Sequence, residues 1–416
     1  MKKHLKLFSL LLAFGMAFTF TACDEDDGND PEPIDQDNDN VVVTQNISED
    51  TRWTADNIYQ LAGRITVLDG ATLTIDPGTV IKGEMGTGAN ATALLVARGG
   101  KLMAEGSATL PIIFTTVGDE ITPEDIAAGD FASPNLDPDA NGLWGGILIM
   151  GKAPISASNK DTKADVSEVQ IEGIPTSDPN GLYGGSEEED NSGVIKYVSI
   201  RHGGANIGAG NEINGLTLGG VGSKTIIENV EIIANQDDGI EWFGGNVSIK
   251  NAVVWNTGDD AIDADQSWTG TLDNFVVIAP GDHNFELDGP EGSADYGAYT
   301  IKNGVIVANF TDVEDQERYS SDLINTDDNT SVTFDNLFFT AIEAGQMVNR
   351  VEHTVGAVSF SNIVFDVDAA NLGSHFPESV VPEGFSAGTA PADASAIDLS
   401  VFSWTWANQA GAIPTL

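Results

Sequence analysis

Of the chain's 416 residues, 64 are acidic and 18 basic, which gives a formal charge of −46. No basic patch is available to displace phosphate counterions, and this excludes nucleic acid as a partner. Direct contact with polyanions is disfavoured unless a cation intervenes; such acidity suits salt water, where ions screen self-repulsion within ~10 Å.

The N-terminus reads as an export signal. Lys2, Lys3 and Lys6 precede an apolar run from Leu7 to Phe20, and Thr21-Ala22 supply small residues before Cys23. Cys23 is the only cysteine, so no internal disulfide can form. Its place predicts a signal peptide over residues 1–22 and lipid attachment at Cys23, with an anchor in the outer membrane and exposure at the cell surface. A plain secretory signal is the alternative. Cleavage removes three lysines and no acid, leaving −49. Residues 23–45 open with Asp24-Glu25-Asp26-Asp27 and are poor in apolar side chains, so they are predicted to be a disordered tether.

From residue 46 the pattern becomes strands and sharp turns. Ile65 to Ile75 alternates, turns at Asp69-Gly70 and alternates again before Asp76-Pro77-Gly78. Leu94 to Gly100 and Ile112-Ile113-Phe114 continue the winding. Asp137 to Gly142 matches the first half of a calcium loop, but Leu148 stands at the twelfth position, so a turn is expected. Arg201-His202 closes a strand, where a lone histidine usually bonds locally.

One phrase then recurs six times: IIENVEI, SIKNAVV, TLDNFVV, TIKNGVI, TFDNLFF and SFSNIVF, centred on Asn229, Asn251, Asn274, Asn303, Asn336 and Asn362. The asparagines are 22, 23, 29, 33 and 26 residues apart, a period of one coil per repeat with loops inserted at fixed corners. Apolar residues two before and three after each Asn point inward. The Asn itself sits at a bend that needs left-handed backbone, and its amide can bond the Asn of the next coil. The residue before it points outward and reads Lys196, Glu228, Lys250, Asp273, Lys302, Asp335, Ser361, an alternation that suits coils ~4.8 Å apart. A β-sandwich would not repeat one column six times. The predicted fold is all-β, a right-handed parallel β-helix over residues 46–366, with residues 367–416 capping the open end of its core.

A second column does not alternate. Asp237-Asp238-Gly239-Ile240-Glu241-Trp242 aligns with Asp259-Asp260-Ala261-Ile262-Asp263-Ala264 and with Asp282-His283-Asn284-Phe285-Glu286-Leu287. Glu241, Asp263 and Glu286 should point outward one above another, with Asp265 and Asp288 in a parallel file. Carboxylates ~4.8 Å apart repel by about 1 kcal/mol in water and about 3 kcal/mol at an effective dielectric of 20. Open solvent, a raised pKa or a hard cation can relieve this. Calcium, with six to eight oxygen ligands, suits Glu241, Asp263, Asp265, Glu286 and Asp288. A proton-bearing acid beside an ionised one is also the glycoside hydrolase arrangement, with Asp237, Asp238 and Asp263 as candidates. Trp242, Trp255 and Trp268 lie near these turns and are candidates for stacking a sugar ring.

The run from Gly70 to Gly83, Asn141 to Gly146 (NGLWGG), Asn211 to Gly222 (NEINGLTLGGVG) and Asp237 to Gly245 (DDGIEWFGG) resemble β-helix lipoproteins of Bacteroidota, a largely uncharacterised group. The acidic run after Cys23 resembles their surface-export signal. The resemblance implies a pectate-lyase-like fold and a surface address more than a reaction. Asn235-Gln236-Asp237-Asp238 is similar to the polygalacturonase phrase that carries two catalytic acids. The functional expectation is binding of polysaccharide or another surface ligand, assisted by calcium. The alternatives are a polysaccharide hydrolase or lyase, and an adhesive or structural envelope protein with no small ligand.

Overall fold

The computed structural model describes residues 39–207, 212–311, 317–326, 329–349 and 357–416. Cys23, the signal peptide and most of the tether lie outside them. Period-two alternation and closely spaced turns give short strands, and the chain stacks them in parallel coil upon coil as a right-handed parallel β-helix.

One wall has nine strands in the order Arg64–Val67, Ala93–Val96, Ile147–Met150, Leu216–Gly219, Ile240–Phe243, Ile262–Asp265, Phe285–Leu287, Asp322–Thr326 and Met347–Asn349, every pair parallel. The remaining wall surface is a 16-stranded sheet folded into two arms. In the early coils each arm has its own strand, such as Lys101–Glu105 and Ile112–Thr116. The strand Gly193–Arg201 then pairs with both, its first half on one and its second half on the other. From there each strand bends in its middle.

The bend is the asparagine. All six adopt φ between 54° and 61°, and Tyr197 has φ 51° at the equivalent place one coil earlier. Asn tolerates this backbone better than other non-glycine residues. The expected amide ladder forms in part. Asn251 donates to Asn229 at 2.9 Å, Asn274 to Asn251 at 2.8 Å and Asn336 to Asn303 at 3.0 Å. Asn303 and Asn362 instead donate to Asp273 and Asp335 of the charged column beside them. That column is in register, and Lys196 pairs with Glu228 at 3.1 Å and Lys302 with Asp273 at 3.7 Å.

The inward positions form one continuous core, from Ile47 through Ile227, Ile249, Leu272, Ile301 and Phe334 to Phe365. Two sequence expectations need correction at the ends. Strand Asp39–Val43 pairs with Asn57–Leu61, so the fold begins inside the stretch expected to be disordered; Val41-Val42-Val43 supplies the β-branched run. The C-terminal segment does two jobs rather than one. Phe376 and Phe385 pack on Phe365 and close the core. Residues 393–412 then run back over the outer face of the second arm. Asp398 is tied to Asn274, while Phe402 and Trp406 cover Val253, Trp255, Val276 and Ile278. Trp404 reaches Tyr197, Val80 and Ile113 near the first coils. Phe402, Trp404 and Trp406 thus seal a side of the solenoid, not its end. Under this strap lies a buried ion pair, Arg201 with Glu231 at 3.7 Å, the guanidinium stacked on Trp406.

Candidate functional site

The nine-stranded wall changes character along its outer face. The first file outward runs Thr66, Leu95, Leu148, Thr217, Glu241, Asp263, Glu286, Asn325 and Asn349. Its apolar members are covered by an excursion, residues 151–192, whose Ile155, Ile171, Ile174 and Tyr183 pack on Leu95, Leu148 and Met150. The excursion also reaches Phe243 and Gln266 on the coils that carry the acids.

Glu241, Asp263 and Glu286 are direct partners on adjacent strands, as the alignment predicted. Asp265 faces Phe243, and the Asp288 N–H donates to the Ala264 carbonyl, which sets Asp288 beside Asp265. At the corner preceding these strands the acids bind backbone of the next coil. Asp238 accepts from the Asp260 N–H at 3.0 Å, and Asp260 accepts from the His283 N–H at 2.6 Å. Gly239 makes the turn possible, because a Cβ there would meet Val254 at 2.4 Å. Asp238, Glu241 and Asp260 are buried, with Asp263, Asp265 and Glu286 half-buried.

Three sets of three carboxylates have oxygens within 4.8 Å of one another: Asp237, Asp238 and Asp259; Asp238, Glu241 and Asp263; and Asp259, Asp260 and Asp282. Asp238 belongs to the first two. Asn214 donates to Glu241, while its own Oδ1, on a side chain 3% exposed, has no hydrogen-bond partner among the described residues. A fourth set joins Asp260, His283 and Glu286. His283 Nδ1 is 2.8 Å from Asp260, and its Nε2 is 3.0 Å from the Asn325 amide and 3.6 Å from Asp282.

Burial dominates the electrostatics. It pushes Asp237 and Asp260 up to about 7, with Asp259, Glu212 and Glu172 adding to the effect on Asp237. Burial, reinforced by neighbouring acids, also holds Asp238, Glu241, Asp263 and Asp265 well above the usual carboxylate range. Burial pulls His283 down, but the hydrogen bond and charge of Asp260, with Asp282 and Glu286, outweigh it and carry the imidazole to about 9. His283 is therefore a cation at neutral pH, set at one end of the acid file.

The tryptophans are corrected by burial. Trp242 and Trp268 stack on each other inside the core with centroids 4.4 Å apart, and Trp255 lies beneath the strap against Trp406. All three are at most 1% exposed and offer no face to a sugar. The Asp137–Gly142 stretch is a turn, its Ala140 carbonyl bonded by His202. The sequence reading did not single out His283, Asp260, Glu212 or Glu172. The first two sit in the aligned corner phrase, whereas Glu172 comes from the distant excursion and has no local signal.

The residues present fit a hard cation. Oxygen donors from three coils converge, one buried amide oxygen lacks a partner, and no lysine or arginine forms an ion pair with any acid of the four sets among the described residues. No curated protein and no solved structure matches the chain. A family model described as a pectate-lyase like beta helix domain matches residues 45–129 and 131–405. The chain belongs to that family of pectate-lyase-like β-helix domains.

Proposed function

We propose that this protein is a cell-surface β-helix whose acidic wall binds calcium and, with it, polysaccharide. The observation that carries the reading is Asp238 shared between two carboxylate triads, with no basic partner and with the unpartnered Asn214 oxygen alongside. A calcium ion on Asp238, Glu241 and Asp263 would turn mutual repulsion into attraction and leave coordination places for sugar oxygens. Lipid attachment at Cys23 would hold the solenoid at the outer membrane, with residues 24–38 as spacer.

Thermal melting with and without calcium tests this. Binding to the folded state alone stabilises by RT ln(1 + [L]/Kd), about 2.7 kcal/mol at a hundred times Kd. The expected outcome is a calcium-dependent rise in Tm that is lost in Asp238→Asn with Asp263→Asn. No rise in the wild type across millimolar calcium would remove the metal from the account.

A second reading, a hydrolase or lyase using Asp237, Asp238 and Asp263, draws on one observation. The Asp238, Glu241 and Asp263 oxygens lie within 4.8 Å of one another, close to the ~5–5.5 Å carboxyl separation of retaining glycosidases. It predicts release of new chain ends from a polysaccharide panel, abolished by the same double substitution.

A further inference from the structure

Beyond the acid file, the wall continues into a loop that presents an aromatic ring. Among the exposed large apolar side chains of the described residues Tyr296 is the one aromatic, 49% exposed. Its loop, residues 289–298, is fastened along its length. Glu291 and Gly292 donate their N–H groups to the Ser156 carbonyl at 3.1 Å. The Ser293 N–H donates to Asp165 at 2.8 Å and its hydroxyl bonds the same carboxylate. The Tyr296 N–H donates to Ser267 Oγ at 2.9 Å. The ring is thus set on a pre-ordered support, which lowers the entropic cost of using it for binding.

Two cavities meet at this ring. One, of about 400 Å³, is lined by Ile155, Ser156, Asp165 and Ser167 of the excursion and by Gly292. The other, of about 220 Å³, is lined by Pro154, Glu188, Asn246 and Thr269. The first lies at the lower end of small-molecule sites, ~300–1,000 Å³, and the second is smaller than that. Polar side chains line both, Asp165 and Ser167 in the first and Glu188, Asn246 and Thr269 in the second.

We infer that the cleft around Tyr296 is a subsite for one uncharged pyranose unit of a polysaccharide. The apolar face of the sugar stacks on the phenol ring, and its hydroxyls bond Asp165, Ser167, Glu188 and Asn246. An aromatic plane flanked by carboxylates and amides suits a ring that is apolar on its face and hydroxylated at its rim. No lysine or arginine lines either cavity, which disfavours uronates and sulfated sugars. The loop starts beside the acid file, where Gln266 donates to Glu291 at 3.3 Å, so a chain held at the metal would pass on to Tyr296. The inference rests on the polysaccharide reading above and replaces the tryptophans as its stacking element.

The test is affinity electrophoresis and calorimetry of the folded protein with soluble uncharged glucan, mannan, galactan and xylan, and with polygalacturonate as charged control. The expected result is binding to at least one uncharged glycan. Tyr296→Ala should weaken it about tenfold or more, Tyr296→Phe should keep it within about twofold, and neither should alter the calcium-induced rise in Tm. Equal binding by wild type and Tyr296→Ala would overturn the subsite while leaving the carbohydrate reading standing. Binding of polygalacturonate alone would overturn the uncharged-sugar assignment. Binding of no glycan at all would remove both.

Discussion

Two outward columns of this solenoid share one geometry and treat charge in opposite ways. On the bent arm Lys196, Glu228, Lys250, Asp273, Lys302 and Asp335 succeed one another in register, and opposite charges pair across coils. On the acidic wall Glu241, Asp263 and Glu286 occupy the same kind of position with like charges throughout. The fold demands only that stacked charges not repel, and the first column meets that demand internally. The second meets it by withholding ionisation through burial, and it leaves oxygen donors free for an external cation. Charge pairing accounts for the first column, whereas burial and converging carboxylates distinguish the second.

Converting the second column into a copy of the first would break the contrast most strongly. Asp263→Lys places a cation between Glu241 and Glu286. It should remove the calcium-induced stabilisation, about 3 kcal/mol near a hundred times Kd, and raise the calcium-free Tm, as read by melting curves. An unchanged calcium response would mean that the ion binds elsewhere.

The next largest effect is on pH dependence. Asp237 and Asp260 are raised to about 7, so the stability they confer is fully present below about pH 4 and is lost as pH climbs through 7. His283, raised to about 9, gives stability present below about pH 6.5 and lost as pH rises through 9. Calcium-free protein should therefore lose stability progressively between about pH 4 and 9, read as a falling Tm. Saturating calcium should flatten or invert the slope, because metal ligation favours the ionised acids. A calcium-free Tm that climbs with pH would contradict the assignment of these groups.

On the paired arm, Asn274→Ala should cost about 2–3 kcal/mol in denaturant unfolding. It loses the bonds to Asn251 and Asp398 and leaves Ala at φ 57°. Asn274→Gly should cost less, because glycine accepts that backbone. Smallest of all, Lys196→Ala removes a half-exposed ion pair with Glu228 and should change stability by less than about 1 kcal/mol.

The coil architecture was legible because a β-helix writes its period into the chain. Six bends at Asn and three aligned acidic phrases suffice to set the register of strands far apart. The tryptophans show where the reading failed and why. The alternation that turns Glu241 outward already turns Trp242 inward, so its burial was legible and was missed. Trp255 does point outward, but it is covered by Phe402 and Trp406, some 150 residues later, and nothing local announces that strap. His283 was legible as a position in the corner phrase but not as the partner of Asp260, since that depends on side-chain direction. The start of the fold at Asp39 was masked by acidic neighbours, although Val41-Val42-Val43 carried the signal.

Crystals grown with millimolar calcium would put the central claim to its most direct trial. Density for an ion among Asp238, Glu241 and Asp263, with oxygens at about 2.3–2.6 Å, is the predicted result. Carboxyl groups hydrogen-bonded to one another there, with no ion between them, would contradict it.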